Sequence, residues 1–374
     1  MAEPAVPAPQ ADPNADLDVL ILGGGVVGNT IAFHLTERGV RPTVIDRGFP
    51  LSGTSGSTQA WIWVHTKTPG FYGELSLASA DLYRDTLAPR LPGIEYTRTG
   101  GLSLLFSRDE LARAERLRDA QRPYGIDIEV VGREGVRRLE PHLSPEVAGA
   151  TFSPHDGNVN PFQLVRRLLA AAQAQGAAYR FYERVVSLRE RRGGERRFEV
   201  RTDRGLLRAR RLVLAAGLWT PELAAPLGVE IPVRPVRGQI LVSEPLPPVL
   251  GHTLNFMRQM ANGEILFGYS QEEAGRDRRS TWDVLSATAG LGIRVLPLLR
   301  GVRLVRAFSG LRPMPRDGLP IVGEVPGHPG LFVAVMHSGY TLAPLIGTVM
   351  AELLVQGHTS IPIEGLSLAR FEGG

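Results

Sequence analysis

The first strong pattern along the chain is an unbroken apolar run followed by apolar residues at helical spacing. Residues 18–22, DVLIL, read as a strand buried on both faces, since a strand covered on both sides need not alternate. Ile31, Ala32 and Leu35 then recur at helical spacing, and Gly39 ends the helix. PTVID, residues 42–46, is a second buried strand, which completes a βαβ unit. Residues 91–149 look like a mixed insertion. GGLSLLFS is strand-like, RDELARAERLRDAQRPYG is an amphipathic helix, and REGVRRLEP is a shorter one. NPFQLVRRLLAAAQAQG is again helical, with Pro161 near its start and Gly176 at its end. YRFYERVVSLRE, RRFEVRTD and GLLRARR alternate as a strand meander with turns at Gly193-Gly194 and Asp203-Arg204-Gly205. LVLAAG is a separate buried strand that stops at a glycine. RGQILVSEP and EILFGYS are alternating strands of a second sheet, and a helix runs through STWDVLSATAGLGIRVLP. The last stretch, residues 330–357, reads as strand, tight turn and helix, and no internal repeat appears.

A chain of 374 residues suits two domains. The expected division places residues 17–90, 150–230 and 302–374 in one domain around the βαβ unit, and 91–149 and 231–301 in the other. The fold class is α/β and α+β: a Rossmann-like domain joined to a domain on a mixed, largely antiparallel sheet. The first 16 residues are rich in Pro and Ala, lack the charged and apolar regions of a signal peptide, and read as a disordered tail. No apolar run approaches the roughly 20 residues of a membrane span, and a cytoplasmic location is the expectation.

Composition removes several chemistries. There is no cysteine, so disulfides, thiolate metal sites, cysteine nucleophiles and thioether-linked cofactors are excluded. The 42 basic and 38 acidic residues are scattered, and the densest basic patch, Arg189 to Arg197, is broken by glutamates and a Gly-Gly turn. It reads as a solvated hairpin tip, not as a nucleic-acid contact.

The βαβ unit carries Gly23-Gly24-Gly25-Val26-Val27-Gly28, a G-x-G-x-x-G between strand and helix. Gly23 permits the tight turn, Gly25 lets backbone approach a pyrophosphate, and Gly28 permits close helix–strand packing. Asp46 follows at the end of the second strand, where an acidic residue accepts from a ribose hydroxyl. The fingerprint specifies a dinucleotide without saying which. The next loop, LSGTSGSTQAWIW, is rich in small and hydroxyl side chains, and Ser52, Thr54, Ser55 and Ser57 are placed to bond phosphates. Trp61 and Trp63 are costly to expose and are expected over a pocket. His34, His65 and His142 lack metal-ligand spacing and read as structural.

The fingerprint, GTSGSTQAW, DGNVNPFQLVRRL, LVLAAGLWT, RPVRGQILV, GLRPMPRDGLPIVG and HSGYTLAPLIG occur in one order along nearly the whole chain. Together they resemble the D-amino acid oxidase superfamily of FAD enzymes, in the branch of glycine oxidase, sarcosine oxidase and the amino acid dehydrogenases. The resemblance implies an FAD-binding domain and a substrate domain whose sheet roofs the flavin. It places Val26 and Val27 at the pyrophosphate turn, and Asp46 and Arg47 at the adenosine end. It puts Thr54 and Ser55 near phosphate, and Gln59, Ala60 and Trp61 along the flavin ring. Val185 or Val186 line the adenine pocket, Ala215, Ala216 and Gly217 form a small-residue turn near the cofactor, and Gly310 adjoins it. The amides of Gly339, Tyr340, Thr341 and Leu342 face the flavin's pyrimidine carbonyls from a helix N-terminus. Two departures stand out: Asp46 replaces the family's usual glutamate, and without cysteine the FAD is expected to be non-covalent.

Arg312, between Leu311 and Pro313, is the arginine that such enzymes aim at the substrate carboxylate. Its apolar flanks and the planar guanidinium fit that role; the alternative is an internal ion pair with a partner such as Asp317. His337 and Tyr340 are further catalytic candidates, and Arg258, Tyr269, Asn255 and Trp61 are expected to line the substrate cavity. The resulting expectation is FAD-dependent oxidation of the C–N bond of a small amino or imino acid, secondary amines preferred, with oxygen or another electron acceptor. A flavin subunit in a hetero-oligomeric dehydrogenase, a glycine or D-amino acid oxidase, a homo-oligomer, a non-catalytic flavoprotein and a nicotinamide enzyme remain as alternatives.

Overall fold

The computed structural model describes residues 16–191 and 197–372. The tail, save for Asp16, and the Gly193-Gly194 turn lie outside them. The first sheet has a parallel centre in the order Leu331–Val335, Gly205–Leu214, Asp16–Leu22, Thr43–Ile45, Ala178–Arg180, with Ile321–Glu324 antiparallel at one edge. The helices Val26–Thr36, Pro161–Ala174 and Gly339–Gln356 pack over it, where Ile31, Leu35, Leu164, Leu345 and Val349 form part of one core.

GLLRARR and LVLAAG are not separate strands. Gly205–Leu214 is continuous: it pairs antiparallel with Phe198–Thr202 and parallel with Asp16–Leu22. Its pattern turns from alternating to wholly buried at Leu212, where the strand enters the centre of the sheet.

The second sheet runs Leu304–Pro315, Val233–Ser243, Ile265–Phe267, Met257–Gln259, Thr253–Leu254, Gly101–Leu105, Gly149–Ser153, Glu129–Gly132. All pairings are antiparallel except Thr253–Leu254 with Gly101–Leu105. The helix Trp282–Val295 covers Val233–Ser243, with Leu285, Ala289 and Ile293 against the core of this sheet. Two boundaries need correcting. A cut at residue 302 detaches Leu304–Pro315 from the sheet it belongs to, because that strand is paired with Val233–Ser243 along nearly its whole length. A cut at 150 likewise splits Gly149–Ser153.

Candidate active site

A cavity of about 590 Å³ opens along the C-terminal ends of the parallel strands, where ligands of open α/β sheets bind. The glycine turn forms its floor. Gly23 has φ +118°, and an added Cβ would lie 2.4 Å from the Ala215 carbonyl oxygen; one at Gly28 would lie 1.9 Å from the Gly23 oxygen. Both contacts are with main chain, so only glycine fits this approach of turn, helix and strand. The Asp46 carboxylate accepts from the Gly24 and Gly48 amides at 2.8 Å each, which fixes it at the rim of the turn. Ser55 Oγ accepts from the Val26 amide at 3.0 Å, so the hydroxyl loop meets the helix N-terminus at the pyrophosphate turn.

Arg47 stacks its guanidinium 3.7 Å from the centre of the Trp219 ring. Val185, Val186, Ala216, Gly217 and Gly339 line the same cavity as Arg47 and Trp219. The donor set and the glycine cradle fit a flavin dinucleotide.

His337 also lines this cavity. The residue is exposed, yet desolvation by the protein around it, and then the charges of Lys67 and Arg312, hold its pKa down to about 3. His337 is therefore a neutral imidazole at ordinary pH. Lys67 Nζ donates to Ser338 Oγ at 2.6 Å and sits 5.3 Å from the Tyr72 ring centre. Ser338 opens the helix Gly339–Gln356; its first internal bond, Leu342 amide to Ser338 carbonyl at 3.0 Å, leaves the amides of Gly339, Tyr340 and Thr341 ahead of the ladder. Leu342 is not among these donors, because its amide is committed.

Arg312 is largely enclosed. Burial lowers its pKa, and Tyr269 and Glu272 act in the opposite sense. Nη1 donates to the Ser270 carbonyl at 2.8 Å. Among the described residues no carboxylate pairs with it: Asp317, the alternative partner, is taken by Arg370 at 2.7 Å. The guanidinium lies over Gly238 on the neighbouring strand, where an added Cβ would come within 2.5 Å of both Nη atoms. Trp61 stacks against Tyr269 with ring centres 6.4 Å apart, and Tyr269 is exposed.

Other candidates are placed differently from expectation. The Tyr340 hydroxyl donates to the Ser55 carbonyl at 2.7 Å and its pKa is raised by burial, so it is a strut for the hydroxyl loop and no proton donor to substrate. Arg258 is 1% exposed, with Nη1 on the Val159 carbonyl at 3.0 Å and Nη2 on the Met260 sulfur. Burial pulls its pKa down to about 9, and it belongs to the protein interior, away from the cavity wall. Asn255 sits in the turn between Thr253–Leu254 and Met257–Gln259, its Oδ1 toward the Leu104 amide. Gln59 ties its loop to the second sheet through the Gly268 carbonyl at 2.8 Å. Ala60 is buried beside it at φ +52°. Thr54 and Thr341 spend their hydroxyls on the Leu311 and Trp61 carbonyls, at 2.7 and 3.1 Å. Gly310 is required by packing, since a Cβ there would lie 2.4 Å from the Ser57 oxygen.

Trp63 does not cover a pocket; it is buried, with its ring 4.9 Å from that of His65. His65 and Asp156 form a wholly buried pair, and the Asp156 carboxylate also accepts from the Val64 amide at 2.6 Å. Gly238 and Ser338 fall within the motifs RPVRGQILV and HSGYTLAPLIG while Lys67 lies in none, and strand register and tertiary packing give all three their places.

A two-sheet flavin enzyme, with an enclosed cation suited to a carboxylate and near enough to the cavity-lining His337 to lower its pKa, is the class these features define. The chain belongs to the DAO family of FAD dependent oxidoreductases, whose model matches residues 18–353. It is 31% identical to one of the subunits of opine oxidase of Agrobacterium tumefaciens (strain Ach5), over 95% of this chain and 98% of that one. The crystal structure of glycine oxidase from Geobacillus kaustophilus superposes with a TM-score of 0.90 at 29% identity, covering 96% of this chain and all of the other. That of iminodiacetate oxidase from Chelativorans sp. BNC1 gives 0.80 at 27% identity, covering 93% and 98%. The protein is an FAD-dependent oxidoreductase acting on C–N bonds of amines or amino acids. No described helix is long and apolar enough to cross a membrane.

Proposed function

We propose that the substrate is a small amino or imino acid held by its carboxylate, with a secondary amine such as an N-substituted glycine preferred. The observation that carries this reading is Arg312: an enclosed guanidinium without an acidic partner among the described residues, seated over a glycine. Such a group has a strong claim on a planar anion. Bound FAD supplies the hydride acceptor for the carbon next to nitrogen. Arg312 fixes the carboxylate, the Trp61–Tyr269 stack limits water on one side, and neutral His337 adds no positive charge against the amine. An amine that arrives unprotonated needs no protein base, and orientation supplies much of the acceleration. The resulting imine hydrolyses to an aldehyde or keto acid plus an amine. Likeness to iminodiacetate oxidase, whose named substrate is a secondary amine, supports the preference.

A second reading, a flavin subunit that turns over only with partner chains, is favoured by likeness to a relative that is itself a subunit of an opine oxidase. The visible spectrum of the purified protein, mixed without oxygen with glycine, N-substituted glycines, proline and D-amino acids, tests both. Bleaching by N-substituted glycines ahead of glycine supports the first reading, and recovery in air identifies oxygen as acceptor. Bleaching without recovery supports a dehydrogenase or subunit. Bleaching by glycine or D-amino acids alone overturns the secondary-amine preference.

A further inference from the structure

The loop at residues 269–281 joins the second sheet to the helix Trp282–Val295 and is unusually well tethered. Glu272 accepts from Arg237 Nη2 at 2.6 Å, from Gln239 Nε2 at 3.0 Å and from Ser270 Oγ at 3.0 Å, and it exchanges two backbone hydrogen bonds with Arg237. Asp277 pairs with Arg237 and Arg279 at 3.3 and 2.9 Å. The Thr281 amide donates to Gln239 Oε1 at 2.9 Å, and the Ser309 hydroxyl donates to the Arg278 carbonyl. Four arginines in and around this loop, Arg234, Arg237, Arg276 and Arg279, are matched with carboxylates.

Arg278 is the exception. Among the described residues its guanidinium has no ion pair or hydrogen bond; the residue is exposed, and it lines the dinucleotide cavity. Glu222, the acid on the same wall, is taken by Arg276. The backbone bond from Ser309 places Arg278 beside the strand segment that meets the hydroxyl loop, where Gly310 abuts Ser57 and Thr54 bonds Leu311. That loop in turn meets the glycine turn through Ser55 and Val26. A tethered loop thus holds an uncompensated cation at the wall of a cavity built for a diphosphate.

We propose that Arg278 binds the diphosphate of FAD, so that the second sheet, which holds the substrate arginine, also holds the cofactor. The same loop supplies the Ser270 carbonyl to Arg312, and one segment therefore serves both anions. A guanidinium is suited to two phosphate oxygens at once.

The test is the rate at which FAD leaves diluted holoenzyme, followed by the rise of free-flavin fluorescence at low and high salt. Arg278→Gln should release FAD at least about 10-fold faster, with a weaker acceleration by salt than in wild type, because a screened charge contact is gone. Arg278→Lys keeps the charge but not the two-pronged contact and should restore part of the retention. The Ser309 tether uses the backbone of residue 278 and persists in every variant. Arg278→Met repeats the measurement should the glutamine variant misfold. FAD release within about twofold of wild type in a folded variant overturns the proposal, as does a lysine variant no better than glutamine. A raised KM for the amine with unchanged FAD release also overturns it, by assigning Arg278 to substrate.

Discussion

Gly238→Ala isolates the role of Arg312 without touching that residue. Gly238 lies on Val233–Ser243, and an ideal Cβ there stands 2.5 Å from Nη1 and Nη2 and 2.6 Å from Cζ of Arg312. The clash is with the far end of a flexible side chain, so the guanidinium must move while the strand need not. Alanine also removes some of glycine's backbone freedom, about 0.5–1 kcal/mol, so thermal stability should stay near wild type. Displacing the guanidinium forfeits charge-assisted hydrogen bonds of roughly 1.5–3 kcal/mol. At about 1.4 kcal/mol per tenfold, kcat/KM for a carboxylate-bearing amine should fall roughly 10- to 150-fold. The assay is anaerobic flavin reduction by stopped flow, with an N-substituted glycine and with the matching amine that lacks the carboxylate. Only the first should suffer, and Arg312→Ala should show the same selectivity. In an Arg312→Ala background the glycine substitution should be nearly silent, since the two act through one contact. Equal losses for both amines, or a folded Gly238→Ala enzyme of wild-type kinetics, would refute the reasoning.

Gly28→Ala places a methyl 1.9 Å from the Gly23 oxygen; overpacking of this kind typically costs roughly 1–3 kcal/mol, and purified protein should show both a lowered Tm and a reduced flavin-to-protein ratio. Asp156→Ala leaves His65 and the Val64 amide buried without their acceptor, so it should destabilise the fold by about 3–5 kcal/mol, measured by urea unfolding; a change under about 1 kcal/mol contradicts this. His337 has a folded pKa of about 3 against an ordinary 6.5, so below pH 6.5 the unfolded chain binds the extra proton and stability falls as pH drops toward 3. His337→Gln should lessen that acid loss and leave the shape of the kcat/KM profile between about pH 5 and 9 unchanged; a lost inflection in that range would contradict a neutral His337.

Local requirements are the most legible in the sequence. The glycine turn announces itself because a Cβ at Gly23 or Gly28 meets main chain, and nothing distant alters that. Arg312 is visible through its apolar neighbours, but its freedom from Asp317 depends on Arg370, far along the chain. Arg258 and Tyr269 show the limit: both are polar residues near strands of the second sheet, and only the packed fold buries one and exposes the other. The helix Gly70–Leu82 gives no signal because it has no side-chain N-cap and includes Gly70, Gly73, Ser76 and Ser79. Its buried face leans on small residues that an apolar pattern does not pick out.

The ribbon of Val233–Ser243 and Leu304–Pro315 stays in register from the Val233–Pro315 pair to the Ser243–Leu304 end, apart from one shift. Near its first end Pro313 packs beside Gly217 of the dinucleotide cavity, and its other end belongs wholly to the second sheet. Both strands belong to the second sheet, so the ribbon moves as one piece, and it is held to the dinucleotide side by the Thr54 hydroxyl on the Leu311 carbonyl and by the close fit of Gly310 against Ser57. The exposed ring of Tyr269, stacked on Trp61, can turn without disturbing any backbone pair. Admission and chemistry are thereby assigned to different pieces of the chain: a change in which molecules enter can be written at the rim, while the frame that aligns two anions stays stiff.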